Sequence, residues 1–90
     1  KRKISINAMY YSLEEVYYPT HKSYPKTLSS TTLPSVDKIL FKDPGGTEIG
    51  NADSDYSYEG KSCAGNACKS YTLYAHLENE ADYKKESRNR

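Results

Sequence analysis

The stretch SLEEVYYPTHKSYPKTL, residues 12–28, decides the fold, because a helical pattern there runs into two Tyr-Pro steps. Proline disfavours helical geometry in the residue before it, so Tyr18 and Tyr24 are both expected to be extended. The helix is therefore predicted to end near Tyr18, where the chain turns back.

The predicted helix covers residues 3 to about 19 and is the most strongly periodic segment of the chain. It carries two apolar stripes. The first stripe is predicted to be core and to cover a sheet; it comprises Ile6, Met9, Leu13, Val16 and Tyr17. The opposite stripe is predicted either to pack on another copy's helix or to be ordinary exposed surface; it comprises Ile4, Ala8, Tyr11 and Tyr18. Lys1-Arg2-Lys3 offers no N-cap, which we interpret as a cut through a longer helix.

The second half of the chain has the alternation of β-strands. DYSYEG, residues 55–60, and SYTLYAHLE, residues 70–78, each place apolar side chains on one face. Between helix and strands lies an irregular connection that begins at residue 20. The sequence thus predicts one α+β domain over 1–90, with an amphipathic helix packed on a small antiparallel sheet. Residues 80–90 are predicted to be a charged, frayed tail.

The composition disfavours a general role in binding nucleic acid or membranes. Thirteen basic and twelve acidic residues give a net charge of +1, so no global field attracts either partner. The basic cluster Lys1-Arg2-Lys3 leaves nucleic acid as a minor alternative to a solvated helix end. The sequence also has no apolar run long enough to cross a bilayer.

Cys63 and Cys68 lie in SCAGNACKS, residues 62–70. The even count and the Gly-Asn interval between two strand patterns favour a disulfide over free thiols, and hence an oxidising compartment. A zinc site is disfavoured because the second closely spaced ligand pair is missing.

Catalytic motifs are not found in the sequence. His21 and His76 lie in no recognisable catalytic setting, and the adjacent Glu14 and Glu15 point apart on a helix, so they form no acid/base pair. We therefore expect neither enzymatic activity nor a cofactor.

A calcium site is considered in GNADSD, residues 50–55, where Asn51, Asp53 and Asp55 alternate as oxygen ligands could. However, Tyr56 stands where an EF-hand requires Gly and Ser62 where it requires Glu. The segment is therefore interpreted as a hydrophilic turn, with no metal expected and these three residues as weak candidates.

The order of these segments resembles the soluble headgroup of bacterial type IV pilins and of the related pseudopilins of type II secretion. The similar pieces are LEEVYY at residues 13–18, SYPKTL at 23–28, FKDPGG at 41–46, and the strands YSYEG and SYTLYAHLEN. Together they cover most of residues 1–79. In major secretion pseudopilins, a loop after an Asp-Pro turn can hold calcium, which keeps Asp53 and Asp55 as candidates.

This resemblance implies a structural subunit of a type IV pilus-like surface filament that serves adhesion or twitching motility. The implied partners are other copies in a helical filament, the pilus assembly machinery, and the inner membrane through an apolar N-terminal stem that is missing here. The implied location is an extracellular fibre, preceded by a membrane-anchored precursor. The alternatives are a pseudopilin of a secretion or DNA-uptake system, and a free-standing secreted adhesion domain.

Overall fold

The computed structural model describes residues 2–89 and has the predicted α+β fold, with an N-terminal helix packed on a four-stranded antiparallel sheet. The helix has three consecutive parts. These are α1 (Arg2–Ser12), a π-helical turn (Leu13–Tyr17) and α2 (Tyr18–His21).

The helix continues past Pro19, so the prediction that it ends near Tyr18 is wrong. A proline ring inside an α-helix clashes with the carbonyl four residues earlier and removes one hydrogen bond. The backbone here uses a π turn immediately before the proline, and the Tyr18 N–H bonds the carbonyl of Leu13 five residues back. The helix ends at Lys22, which has a left-handed φ of 59° and whose N–H bonds the Tyr18 carbonyl at 2.7 Å.

The π turn also changes which side chains face the sheet. Ile6, Met9 and Leu13 are fully buried, but Val16 is 53% exposed, so its assignment to the core is wrong. A π turn rotates the chain less per residue than an α-helix does, and the α-helical periodicity is lost after Leu13. Val16 is consequently carried away from the core, while Glu14 is buried.

Four strands form the sheet: β1 (Tyr24–Pro25), β2 (Tyr56–Ala64), β3 (Ala67–Ala75) and β4 (Tyr83–Glu86). All three other strands pair antiparallel with β3. β2 pairs along its whole length, whereas β1 pairs at the start of β3 and β4 at its end. Tyr24 is thus extended, as predicted from the Tyr-Pro step, whereas Tyr18, for which the same was predicted, is helical with φ −60° and ψ −45°.

The predicted disulfide is confirmed at the tip of the β2–β3 hairpin. The turn has Gly65 at its first central position with φ 61°, a conformation that glycine adopts without steric cost. The turn sets the register that places Cys63 directly opposite Cys68, and the two are bonded.

The C-terminal segment is ordered rather than frayed through most of residues 80–90, contrary to the prediction. A strand pairs through its backbone, so the low apolar content of β4 does not prevent it from pairing with β3. Tyr83 packs partly on the core and donates a hydrogen bond to Asn7 of the helix at 3.0 Å. The Ser87 N–H then bonds the Tyr71 carbonyl at 3.1 Å, which extends the contact beyond the strand.

The connection between β1 and β2 contributes a large part of the core. It includes a 3-10 helix (Lys38–Phe41) that begins with Asp37 accepting a hydrogen bond from the Ile39 N–H at 3.1 Å. The side chains of this connection pack under the helix and against the sheet, and the buried apolar ones are Leu28, Leu33, Val36, Phe41 and Ile49.

Candidate functional site

Glu14 is a carboxylate buried between the helix, the sheet and the C-terminal segment, with only 2% of its surface exposed. It accepts hydrogen bonds from the hydroxyls of Tyr24 at 2.8 Å and Tyr71 at 2.7 Å. The backbone N–H of Arg88 donates a third, at 3.2 Å. A charged group without such donors would be costly in this position.

The two tyrosine rings and a third one form the aromatic wall of this site. Tyr71 meets Tyr24 edge-on with centroids 4.8 Å apart and stacks on Tyr58 at 5.4 Å. Burial, followed by the hydrogen bond to Glu14, raises the pKa of Tyr71 above its usual range. Burial also raises the pKa of Tyr58, whose hydroxyl donates to the Pro25 carbonyl at 2.6 Å.

This Glu14 cluster joins three parts of the chain that are distant in sequence. Its geometry is that of an acceptor that fixes two hydroxyls and one amide, with its carboxylate closed off from solvent. The sequence pattern indicates for Glu14 only that it forms no acid/base pair with Glu15, and it does not indicate burial. The usable signal was Pro19, because a proline inside a continuing helix requires a local irregularity that shifts the phase of the residues before it.

The surface of the helix that faces away from the sheet carries exposed apolar residues. Ile4 is 64% exposed, and Tyr11, two turns further along, is 53% exposed. The π turn brings Val16 to this exposed surface as well. Two residues predicted to belong to the same outer face, Ala8 and Tyr18, are instead half-buried and pack partly against the core. We call Ile4, Tyr11 and Val16 the outer helix face.

A shallow groove of about 360 Å³ runs between this face and the 3-10 segment. Tyr11 and Val16 line one wall, and Val36 and Leu40 line the other. The rim is acidic because Glu15 and Asp37 also line the groove. Such a mainly apolar floor with a charged rim is typical of protein contact surfaces.

Arg88 covers the part of the helix that carries Tyr10 and Glu15. Its Nη2 lies 3.1 Å from Glu15 Oε2, and its Nε donates to the Tyr10 hydroxyl at 3.1 Å. These two contacts raise the pKa of Arg88, so its positive charge is maintained. The contact is exposed and therefore contributes to positioning more than to stability.

The three weak calcium candidates are engaged in local contacts. The Asn51 side-chain oxygen accepts a hydrogen bond from the Asp53 N–H at 2.9 Å, and the Asp55 carboxylate lies 3.0 Å from the Arg2 guanidinium. The hydrogen bond to Asp55 raises the pKa of Arg2. Among residues 2–89, no three or more His, Cys, Asp or Glu side chains are grouped so that they could hold a metal ion.

Asp43 organises the loop that contains these residues. Its two carboxylate oxygens accept the backbone N–H groups of Thr47 at 2.9 Å and Asp55 at 2.8 Å. These backbone hydrogen bonds hold the pKa of Asp43 below its usual range, and the bond from the Asp55 N–H has the largest effect. The turn predicted from KDPGG is thus built around one buried carboxylate, and Gly46 takes a φ of 89° within it.

The two histidines take part in local contacts on the surface. His21 stacks on Tyr17 at the end of the helix, with ring centroids 3.9 Å apart. His76 follows β3, and its Nδ1 lies 3.1 Å from the Asp82 carboxylate on the exposed surface.

Comparison of the chain with family models, with curated proteins and with solved structures gives no match. In the part of the chain that the structure describes, no helix is both long enough and apolar enough to span a bilayer.

Proposed function

We propose that this chain is the headgroup of a type IV pilin-like subunit that polymerises into a surface filament. The observation that carries the proposal is the two-sided helix. One side seals the sheet, and the other presents Ile4, Tyr11 and Val16 to solvent. Large apolar side chains aligned on one exposed surface are typical of a protein contact, and identical subunits supply matching surfaces.

Three further features support a filament subunit. The net charge of +1 is compatible with close packing of many copies, which strong self-repulsion would oppose. The Cys63–Cys68 disulfide suits an oxidising, extracellular location. The charge of Glu15, which lies beside Tyr11 and Val16, is paired with Arg88 at 3.1 Å.

The test is an Ile4→Glu substitution in the chromosomal gene, followed by immunogold electron microscopy of the cells with an antibody against this chain. A glutamate placed in a packed apolar contact would bury an unpaired charge, so we expect labelled filaments to be lost. Ile4 is a better position than Ala8, because Ala8 also packs against the core. Thr31→Glu, at an exposed loop position, is the matched control and should leave filaments unchanged.

Both variants should melt at nearly the wild-type temperature, since both positions are exposed. Abundant labelled filaments from the Ile4→Glu strain would show that the outer helix face is not the subunit contact. Wild-type cells without labelled filaments would refute the proposed function itself. Label confined to the cell envelope would then favour a secretion or DNA-uptake pseudopilin, and monomer released into the medium would favour a free-standing adhesion domain.

A further inference from the structure

The two ends of the molecule differ in charge: a basic cleft lies at one end, and the other end combines an acidic turn with Arg2 and Lys3. The molecule measures 35 Å along its longest axis, and the helical residues 2–21 span about 30 Å at the usual rise of about 1.5 Å per residue. The helix start contacts residues 55 and 78, whereas its end lies beside the hairpin tip. Groups at these two ends are therefore separated by most of the molecule.

A basic cleft of about 480 Å³ lies at the hairpin end. Lys22, at the end of the helix, and Lys69, on β3, line it from two sides. Ser23 and Ser62 add two hydroxyls, and the rest of the lining comes from Tyr18, the disulfide-bonded Cys68 and two alanines. Among residues 2–89, neither lysine has a carboxylate within 4.0 Å, and the cleft is lined by no acidic residue.

An acidic turn lies at the opposite end. Residues 78–82 join β3 to β4 and are all exposed. They carry Glu78, Glu80 and Asp82, and Asn79 has a φ of 61° that shapes the turn. Glu78 and Glu80 form ion pairs with Arg2 and Lys3 at 3.8 Å, and Asp82 lies 3.1 Å from His76 Nδ1. The side chains of Glu78 and Glu80 are nevertheless 77% and 58% exposed, so both carboxylates remain accessible.

We propose that the acidic turn of one copy docks into the basic cleft of the next copy, which joins subunits head to tail. The proposal rests on the proposed function, and it supplies the axial contact that the outer helix face does not. Turn and cleft are different surfaces at opposite ends, so the contact is heterologous and generates an open chain rather than a closed dimer. Lysine and carboxylate groups across such a contact are complementary in sign.

A second copy fits this cleft better than a polyanion does. Binding to a nucleic acid requires several cations along one face, whereas the cleft contributes two lysines and the turn at the opposite end carries three carboxylates. Exposed ion pairs are individually weak, so this contact should be transient between free headgroups and reinforced by repetition in a fibre.

The test uses the 90-residue chain in sedimentation experiments at high protein concentration. Raising the NaCl concentration from about 0.05 M to about 0.5 M shortens the Debye length from about 14 Å to about 4 Å. The wild-type association constant should fall about tenfold over this range. The variant Lys22→Glu/Lys69→Glu reverses the charge of the cleft, and Glu78→Lys/Glu80→Lys reverses the charge of these two positions of the turn. Each variant alone should be monomeric.

An equimolar mixture of these two variants should associate again, because each reversed surface meets a complementary one on the other variant. The control Lys38→Glu/Lys42→Glu makes the same change in net charge as the cleft variant, at exposed positions of the connection between β1 and β2, and should associate like wild type. A monomeric wild type at low salt, or a mixture that stays monomeric, overturns the proposal. So does a cleft that binds a duplex oligonucleotide through Lys22 and Lys69 while self-association is unaffected by their reversal.

The same variants separate this inference from the proposed function. Cells that make normal filaments with the reversed cleft would refute the docking but leave the filament function standing. Restored association in the mixture, together with wild-type cells that make no labelled filaments, would refute the filament function but leave the head-to-tail contact standing.

Discussion

Replacing Glu14 by Leu should strongly destabilise the protein, although the two side chains are similar in volume. The substitution removes the shared acceptor of the Tyr24 and Tyr71 hydroxyls, both on fully buried side chains, and of the Arg88 amide. Each buried donor that loses its acceptor costs about 1–3 kcal/mol. Arg88 is exposed and its amide can turn to water, so the expected cost comes from two hydroxyls and is about 2–6 kcal/mol.

This is a large fraction of the total stability, which is about 5–13 kcal/mol for a chain of this length. Urea denaturation followed by circular dichroism measures the loss directly. The matched control is Glu14→Leu combined with Tyr24→Phe and Tyr71→Phe, which removes donors and acceptor together and should recover most of the loss. The reasoning is refuted if Glu14→Leu lies within about 0.5 kcal/mol of wild type, or if the triple variant is no more stable than the single one.

Three other predictions concern the sheet and its tyrosines. Gly60→Ala should cost about 1–3 kcal/mol, because the new methyl would lie 2.8 Å from a disulfide sulfur and 3.1 Å from a backbone carbonyl. Gly45→Ala, whose methyl meets nothing closer than 3.4 Å, is the thermal-melting control. Reducing the disulfide should cost about 2 kcal/mol, because it closes a short loop, and calorimetry with and without reductant measures this. The raised pKa of Tyr71 means that ionisation favours the unfolded chain above pH about 10. The melting temperature should therefore fall between pH about 10 and 11, and it should fall less steeply in Tyr71→Phe than in a Tyr11→Phe control. Equal slopes of melting temperature against pH in the two variants would contradict this.

The β-hairpin and its disulfide could be predicted from the sequence because their determinants are local. Tyr71, Leu73 and Ala75 alternate along one face, and the Gly-Asn pair between the cysteines sets both turn and register. Each of these signals lies within a few residues of the structure that it specifies.

The environment of Glu14 could not be predicted in the same way. Regular α-helical periodicity places Val16 in the core. In the structure, where both residues lie in the π turn, Val16 is exposed and Glu14 is buried. β4 was missed because its pairing depends on the backbone of a distant strand, which the charged composition of residues 83–86 does not reveal. In both cases the deciding partner lies far away in the sequence.

The hydrogen bond between the Arg88 amide and Glu14 has a consequence for the order of events during synthesis. It joins residues 74 positions apart, and the helix emerges from the ribosome long before its partner. The Glu14 carboxylate therefore lacks this donor until residue 88 has emerged, although Tyr24 and Tyr71 emerge earlier. Native contacts of this sequence separation also slow folding, since the intervening chain must first be closed into a loop. The native fold is thus completed after translation of this region, not progressively during it.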